Sequence, residues 1–331
     1  MVTSSALRAR FDALADELGP RAARHLPLGP LTTYGVGGPA ALFVEVDGPD
    51  DLRALRHALL GSEVPVCVVG RGSNLLVADA GFDGVAVRLG NGFNAVRLPA
   101  PAPEGAPPFV VSAGGSAPLP VVARQAADAG WSGLSWAVGV PGTVGGAVRM
   151  NAGGHGSEMA GCLLRYTWVD LLHGAEGTDD AEALRYGYRS SALTASQVVV
   201  AAELGVTRGE TAAEQAEVSS IVRWRRAHQP GGSNAGSVFT NPPGDSAGRL
   251  IEEAGLKGFR VGTAHVSEKH ANFIQADKGG RADDVHALME HVRAAVLECC
   301  GVALVAEVRL LGFRGGETGA VSGDVTPEAG Q

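Results

Sequence analysis

Two polar residues stand in sequence contexts that packing alone does not require. Arg189 follows Tyr188 in the segment Y-G-Y-R-S (186–190), and an arginine fork matches a carboxylate with two parallel hydrogen bonds. Ser237 follows a glycine and precedes the apolar pair Val238-Phe239. The nucleophile-elbow pattern G-x-S-x-G is absent around Ser237, so its chemistry is not indicated. A surface arginine and a turn serine are the structural alternatives.

A third polar residue, Glu307, interrupts the apolar segment L-V-A-E-V-R-L-L (304–311). Strand alternation would place Val305, Glu307 and Arg309 on one face, which puts a carboxylate inside an otherwise apolar strand. A buried carboxylate is costly unless it is paired. Two interpretations stay open: a same-face ion pair with Arg309, or a buried acid that acts on charge in a substrate.

Glycine, at 48 of 331 residues, is about twice as frequent as its usual share of roughly 7%. The loop Gly70-Arg71-Gly72-Ser73-Asn74 follows an apolar segment, and residues 139–156 hold seven glycines in eighteen positions. Bare backbone amides can approach phosphate oxygens closely. The first loop lacks the third glycine of G-x-G-x-x-G, which disfavours a Rossmann turn. Together the two segments predict a bound dinucleotide, for which a flavin fits, and simple tight turns are the alternative.

Hydrophobic periodicity predicts mixed helices and strands around these residues. An amphipathic helix is expected over 5–19, and the next elements form a βαβ unit. The unit consists of a strand at 41–46, a helix from Pro49 to Leu60 and a strand at 64–70. The later predicted elements are strands at 85–89, 109–113, 198–206, 271–276 and 302–313, and helices at 116–130, 207–228 (capped at its start), 245–255 and 281–300.

Composition excludes several classes of protein. With 45% apolar and 19% charged residues the chain is globular, and its net charge of −8 leaves no basic surplus for nucleic acid or anionic membranes. No apolar stretch is long enough to span a membrane and no targeting segment is evident, so a cytoplasmic protein is expected. The four cysteines lack C-x-x-C spacing and are expected to be reduced. The closest histidine pairs lie five residues apart, off metal-ligand spacing, so no metal is predicted.

Taken in order along the chain, these segments resemble one family of flavoenzymes. The strings are G-R-G-S-N (70–74), S-G-L-S-W-A-V-G-V-P-G-T-V-G-G-A-V-R-M-N-A-G-G-H-G (132–156), Y-R-S-S (188–191), A-G-S-V-F-T-N-P (235–242) and A-E-V-R (306–309). They are similar to the UDP-N-acetylenolpyruvoylglucosamine reductases, the MurB family of peptidoglycan precursor synthesis. The similarity runs from about residue 31 to residue 312, in the layout of the family's shorter, type II-like form.

The resemblance implies an α+β fold with three domains. Two small subdomains would cradle FAD in a PCMH-type (vanillyl-alcohol-oxidase-like) arrangement, and a smaller α+β domain would bind the substrate. On this sequence the subdomains correspond to residues 1–92 and 93–222 and the substrate domain to 223–310, with 314–331 as a flexible tail. In the family the chain end returns to the first domain, so residues after about 310 are expected to contact it.

The implied reaction has two half-steps: NADPH passes a hydride to FAD, and the reduced flavin passes it to UDP-N-acetylglucosamine enolpyruvate, giving UDP-N-acetylmuramate. At positions that match the family's motifs, Ser237 resembles the proton donor, and Arg189 and Glu307 resemble the pair that stabilises the enol intermediate. Substrate contacts are predicted at Tyr188, Asn241, Arg225 and His228. The predicted FAD-binding residues are Tyr34, Gly70, Arg71, Gly72, Ser73, Asn74, Leu75, Gly139, Val140, Pro141, Gly142, Val144, Gly145, Gly146, Asn151, Ala152 and Gly153.

One departure from the family's pattern concerns the substrate diphosphate. The family commonly carries lysine in a K-Q-P or K-L-P string, whereas this chain has His228-Gln229-Pro230. The diphosphate contact would then rest on a histidine, or on Arg225 and Arg226. Two alternative functions are a related FAD oxidase and a non-catalytic flavin- or nucleotide-binding paralogue. The oxidase is disfavoured because the 70–74 loop has no His or Cys for covalent flavin attachment. The non-catalytic paralogue is disfavoured because Ser237, Arg189 and Glu307 occur together.

Overall fold

The structure is a computed structural model that describes residues 4–100 and 106–313. The predicted tail, 314–331, lies outside the described residues. The α-helices are α1 (Ser4–Leu18), α2 (Pro49–Leu59), α3 (Leu119–Asp128), α4 (Val144–Arg149), α5 (Thr211–His228), α6 (Ala247–Glu253) and α7 (Ala282–Cys300). No helix in this described part is both long enough and apolar enough to cross a membrane.

Seventeen strands are present in the described residues. They are β1 (Ala22–Arg24), β2 (Ala40–Val46), β3 (Val66–Val68), β4 (Leu75–Val77), β5 (Phe82–Leu89), β6 (Val96–Arg97), β7 (Phe109–Gly114), β8 (Trp131–Ser132), β9 (Gly153–Gly154), β10 (Ser157–Glu158), β11 (Leu163–Asp170), β12 (Glu176–Asp180), β13 (Gln197–Arg208), β14 (Arg260–Val261), β15 (Ala264–Val266), β16 (Ile274–Ala276) and β17 (Arg309–Leu311).

The first region is a four-stranded sheet in the order β1-β2-β5-β3. Both β2 and β3 pair in parallel with β5, so the predicted βαβ unit exists with a third strand inserted between its two strands. The connecting helix α2 begins at Pro49, whose fixed φ suits a first helical turn. It buries Leu52, Leu55 and Leu59 in a core that also contains residues of α1.

The second region is a six-stranded sheet in which the twelve-residue strand β13 is central. Antiparallel neighbours β11 and β7 flank β13, and β12 and β6 lie at the edges. Helices α3, α4 and α5 contribute to its apolar core, which includes Trp131 and Trp136. Helix α4 lies within the glycine segment 139–156 and packs against β13. The segment therefore lies on that face of the sheet.

The third region contains α6, α7 and the three-stranded sheet β14-β15-β16. Its apolar core also includes Tyr34, Val36 and Leu76, which come from much earlier in the chain. The late strand β17 pairs in parallel with β4, so the end of the described chain returns beside the first glycine loop. The predicted domain boundaries stay predictions.

Three details differ from the sequence-based expectations. The strand predicted over 302–313 is regular only at Arg309–Leu311, because the preceding residues pair with the loop that contains Ser237, through an isolated bridge between Ala306 and Phe239. The strand predicted over 64–70 is reduced to Val66–Val68, since the chain turns into the glycine loop immediately afterwards. The start of α5 has Glu210 at its N-cap position without a side-chain capping bond, so the predicted cap is wrong.

Candidate active site

The side chains of Arg189 and Glu307 form an ion pair with an Nε–Oε1 distance of 3.0 Å. Their side chains are only 19% and 18% exposed, respectively. Arg309 forms no ion pair with any residue of the described ranges, and Glu307 points to Arg189 instead. The structure thus excludes the same-face pair of Glu307 with Arg309 that strand alternation left open.

The backbone around Arg189 fixes its orientation. Gly187 and Ser190 exchange backbone hydrogen bonds across a tight turn, and Arg189 in that turn has a φ of +55°. A left-handed conformation costs a non-glycine residue roughly 1–2 kcal/mol, so the surroundings must impose it. The guanidinium donates to the carbonyl oxygen of Asn151 at 3.4 Å and to that of Gly153 at 3.2 Å. Arg189 is therefore anchored to the second glycine segment as well as to Glu307.

Ser237 lies in a loop held by strand-like pairing from two sides. The Val238 amide donates to the Asn272 carbonyl at 2.9 Å, and the Val238 carbonyl accepts from the Glu307 amide at 2.8 Å. The buried Asn272 side chain accepts from the Phe239 amide at 3.0 Å and donates to the Phe239 carbonyl at 2.8 Å. The half-buried Ser237 hydroxyl has no hydrogen-bond partner among the residues that the structure describes. It is held in place by its backbone and left free for a ligand.

Glu307 is the point where the separate motifs meet. Its backbone carbonyl accepts from Asn74 Nδ2 at 3.0 Å, which ties it to the first glycine loop. Its side chain holds Arg189 and its amide holds the residue after Ser237. Burial raises the pKa of Glu307 above its ordinary value, although the charge and hydrogen bond of Arg189 oppose this shift.

A cavity of about 370 Å³ opens between the two glycine segments. Four predicted cofactor-binding residues line it: Gly70, Arg71, Gly145 and Gly146. The other lining residues are Pro30, Leu31, Val68, Val69, Arg88, Leu89, Gly115, Ser116, Thr143, Arg149, Gln197 and Val199. The cavity wall is therefore built from loops of the first and second regions together.

Glycines, which have no side chain, allow the backbone around the cavity to pack closely. A Cβ atom on Gly145 would lie 2.9 Å from the carbonyl oxygen of Val199 and 3.1 Å from that of Gly115. A Cβ on Gly70 would lie 2.7 Å from Thr143 Oγ1. Gly72 has a φ of +60°, and a side chain there would meet the backbone of Leu31. A larger residue at Gly70 would push the first glycine loop away from Thr143 of the second glycine segment.

The residues around the cavity fit a flavin dinucleotide. Of the three lining arginines, Arg88 pairs with Glu45 at 2.9 Å, whereas Arg71 and Arg149 have no acidic partner within the described ranges. Burial lowers the pKa of Arg149, because its guanidinium lies in a desolvated position with no acidic partner in those ranges to offset that cost. The predicted cofactor residue Tyr34 does not line this cavity: it is fully buried near Leu76 in the third core, and its hydroxyl lacks a hydrogen-bond partner in the described part of the chain. A diphosphate would match the two arginines that line the cavity without an acidic partner among the described residues.

The rings of His155, Trp224 and His228 pack together beside the second glycine segment, 139–156. We call these three rings the aromatic cluster. The Trp224 and His228 rings stack with centroids 4.6 Å apart, and His155 meets Trp224 edge-on at 5.1 Å. Arg225 lies next to the cluster, because a Cβ on Gly139 would be 3.2 Å from Arg225 Cδ and 3.4 Å from His155 Cδ2. Burial and the Arg225 charge lower the pKa of His155.

The other two predicted substrate residues, Tyr188 and Asn241, differ in how their side chains are held. The ring of Tyr188 is 54% exposed, and the Arg189 guanidinium carbon lies 4.7 Å from its centroid. Asn241 Oδ1 accepts from the Ala247 amide at 3.1 Å, so this oxygen already serves the start of α6. The amide nitrogen of Asn241 makes no hydrogen bond among the described residues and is available to a ligand.

The remaining predicted cofactor residues serve mainly to shape the loops. Val144 is buried in the second core, and Asn151 holds the Arg189 turn through a 3.0 Å bond to the Gly187 carbonyl. Ser73 lies against Gly142, and Leu75 belongs to β4. Val140 and Ala152 pack on the edge of the second core, and Pro141 is exposed.

Sequence reasoning missed several residues that the structure brings to the site. Arg88, Ser116, Arg149 and Gln197 line the cavity, and Asn272 holds the serine loop. Two signals could have found some of them. Gly114-Gly115-Ser116 follows a predicted strand as Gly70-Arg71-Gly72 does, and Asn272 stands alone among apolar neighbours in A-N-F-I.

Comparison with known proteins agrees with this geometry. Residues 40–176 match the FAD binding domain family, and residues 228–311 match the C-terminal domain of UDP-N-acetylenolpyruvoylglucosamine reductase. A reductase of that name from Heliobacterium modesticaldum is 43% identical over 296 residues, covering 88% of this chain and 91% of the relative. One from Synechococcus is 41% identical over 292 residues, covering 87% and 93%.

A solved structure shows the same fold. The crystal structure of the reductase from Thermus caldophilus superposes with a TM-score of 0.75 at 35% identity, covering 87% of this chain and 98% of that one. The fold and the cavity define an FAD-dependent oxidoreductase with a PCMH-type FAD-binding domain. Within that class, the chain belongs to the UDP-N-acetylenolpyruvoylglucosamine reductase family.

Proposed function

We propose that this chain reduces UDP-N-acetylglucosamine enolpyruvate to the peptidoglycan precursor UDP-N-acetylmuramate, with NADPH as hydride donor and Ser237 as proton donor. The observation that carries the proposal is the convergence on Glu307. Hydrogen bonds from this residue reach Arg189, Asn74 and the residue after Ser237. The groups that the reaction needs are thus joined into one hydrogen-bonded network, which Asn74 connects to the first glycine loop.

Bound FAD would supply the hydride transfer between NADPH and the enolpyruvyl carbon. Gly70, Arg71, Gly145, Gly146 and Arg149 would hold it, because they line the cavity with bare backbone and with two arginines that have no acidic partner among the described residues. A PCMH-type oxidase shares this requirement, so the cofactor alone does not identify the substrate. The distinction lies in the Arg189–Glu307–Ser237 network.

Arg189 is suited to stabilise the enolate that forms in the substrate beside its carboxylate. Its planar fork can face two oxygens, and its orientation is fixed before the substrate binds by Glu307 and two backbone carbonyls. Preorganised donors of this kind are worth about 10²–10³-fold in rate. Glu307 holds the guanidinium in position and balances its charge within a shielded site.

Ser237 is suited to deliver the proton to the carbanion-like carbon. A hydroxyl is a weak acid, but that carbon is strongly basic, so a hydroxyl within reach can act as the donor. The structure supports this role because the loop is fixed at Val238 by Asn272 and Glu307 while the hydroxyl makes no bond among the described residues.

Recognition of the substrate diphosphate is assigned to Arg225 and His228, with Asn241 and Tyr188 as further contacts. Arg225 has no acidic partner in the portion of the chain described, and it lies against Gly139 at the edge of the glycine segment. Asn241 can donate only through its amide nitrogen. The cytoplasmic location expected from the sequence stays a prediction.

The cofactor part of the proposal is tested by glycine substitutions with binding as the readout. The wild type is expected to be yellow and to release FAD on denaturation. Gly145→Ala should weaken FAD binding, because its methyl group would press on two carbonyl oxygens at 2.9 and 3.1 Å, a conflict that costs about 1–3 kcal/mol. Gly154→Ala is the matched control in the same segment, since a Cβ there meets nothing within 4 Å.

The substrate part is tested by comparing electron acceptors. NADPH oxidation should depend on UDP-N-acetylglucosamine enolpyruvate and should yield UDP-N-acetylmuramate one-for-one. Fast oxygen consumption that ignores this substrate would identify an oxidase instead. A colourless protein that fails to bind added FAD would contradict the whole assignment.

A further inference from the structure

We infer that the aromatic cluster of His155, Trp224 and His228 binds the uracil ring of the nucleotide substrate on Trp224, with Arg225 and His228 at the adjoining diphosphate. This inference rests on the proposed function and adds to it a base-recognition site. The residue that carries it is Trp224.

Trp224 differs from the other tryptophans of the chain. Trp131 and Trp136 are buried in the second core, and the Trp168 indole donates to Asp179 at 2.6 Å. Trp224 is 46% exposed in the last turn of α5. Its ring carries His228 in a stacked arrangement with an interplanar angle of 18° and His155 edge-on at 86°. His155 thus stands perpendicular to the Trp224–His228 stack, and the exposed part of Trp224 offers an aromatic surface on which a nucleobase can stack.

The β9–β10 hairpin connects the aromatic cluster to the part of the segment that anchors Arg189. Gly153 accepts a hydrogen bond from Arg189, and His155 is two residues further along the β9–β10 hairpin, a span of at most about 7 Å. His155 then contacts Trp224 at 5.1 Å between centroids. A UDP-sugar with its enolpyruvyl group at Arg189 can therefore extend along this hairpin to reach the cluster with its base.

The charges near the aromatic cluster favour a ligand that carries phosphate groups, such as a nucleotide, over an uncharged aromatic ligand. The C-terminus of a helix carries partial negative charge, so the end of α5 by itself repels anions. Arg225 offsets this, because its guanidinium is unpaired among the described residues and contacts the Gly139 position between the cluster and the cavity. A diphosphate would lie at Arg225 with the base on Trp224.

The test measures binding of UDP to the FAD-loaded protein by calorimetry, with inorganic pyrophosphate and 2′,5′-ADP as companion probes. Base stacking on an aromatic residue is worth about 1–3 kcal/mol, so Trp224→Ala should weaken UDP binding roughly 5- to 150-fold. Trp224→Phe should restore most of it. Pyrophosphate binding should be unchanged in Trp224→Ala and lost in Arg225→Met.

Phe259→Ala provides a matched control. Phe259 is 39% exposed and stacks on His291 at 4.4 Å, but it lies in the third region, outside the aromatic cluster. This variant should bind UDP as the wild type does. Equal weakening of UDP in the two alanine variants, or an unchanged affinity in Trp224→Ala, would overturn the inference.

Two further outcomes separate this inference from the proposed function. If Trp224→Ala weakens 2′,5′-ADP but not UDP, the cluster serves the adenosine half of NADPH and the uracil assignment is wrong. If the wild type reduces the enolpyruvyl substrate but Trp224→Ala keeps its KM, only the inference fails. A wild type that neither binds UDP nor turns over the substrate would remove both.

Discussion

Arg189 and Arg225 both contact the glycine segment 139–156, yet their surroundings are opposite. Arg189 is paired with Glu307, bonded to two backbone carbonyls and held at a left-handed φ. Arg225 has no acidic partner within the described part of the chain and borders the exposed aromatic cluster. The difference separates two tasks. A group that stabilises developing charge must be oriented before the reaction, whereas a group that recognises a ligand can obtain its counter-charge from that ligand.

Apart from loss of the serine hydroxyl, the largest effect is expected where the preorganised region loses its cation, Arg189. Arg189→Met should lower kcat by about 10²–10³-fold, because the enolate loses its donor and Glu307 loses its partner. Arg185→Met is the matched control. Arg185 lies in the same segment, also has a left-handed φ, of 42°, and is exposed. A similar loss in both variants of a steady-state assay would show that the segment, not the guanidinium, matters.

A smaller effect is expected from the residue that supports the serine loop. Asn272→Leu leaves the Phe239 amide and carbonyl unpaired, which costs about 1–3 kcal/mol and should lower Tm. If Asn272 positions Ser237, reduction of the substrate should slow while flavin reduction by NADPH keeps its rate. Asn272→Asp, which retains the acceptor for the Phe239 amide, should recover part of the rate. Equal slowing of both steps would indicate general damage.

The acid limb of the activity profile tests Glu307. Its pKa is raised above the ordinary value of 4.5 because burial outweighs the pairing with Arg189. The carboxylate therefore takes up a proton at a higher pH than an exposed glutamate does, and the protonated form holds Arg189 less firmly. We expect kcat to fall as pH decreases, with a midpoint above 4.5. Glu307→Gln should lower kcat and remove this limb, and an unaltered limb in that variant would assign it to another group.

The smallest effect is expected in the recognition region. His228→Lys places a permanent charge near Arg225, and exposed charge interactions are worth about 0.2–1 kcal/mol, so the substrate KM should fall by up to about fivefold at low salt. A lysine stem can still cover the Trp224 ring. If KM is unchanged over a range of salt concentrations, the diphosphate contact does not involve position 228.

The sequence pointed to the residues that the hydrogen-bond network joins better than to the surfaces around them. Motif order along the chain pointed to Arg189, Ser237 and Glu307, and apolar periodicity located most helices. Strand alternation could not decide between Arg309 and Arg189 as the partner of Glu307, since the true partner is 118 positions away. The role of Asn272 and the lining residues Arg88 and Arg149 depends on loops that meet only in the folded chain.

The final strand shows the same limit in a different way. An alternating apolar pattern predicted regular structure over 302–313, but only three residues form a strand because the others pair with the serine loop. The local sequence pattern indicates the tendency of a segment to form a strand, whereas the tertiary structure determines which segment it pairs with.

The central claim is that Ser237 delivers a proton in the step that reduces the substrate, and stopped-flow absorbance of the two half-reactions tests it most directly. In Ser237→Ala, flavin reduction by NADPH should proceed at the wild-type rate. Reoxidation by UDP-N-acetylglucosamine enolpyruvate should slow by about 10²–10⁴-fold, the usual contribution of a general acid. If both half-reactions remain fast in this variant, Ser237 is not the proton donor.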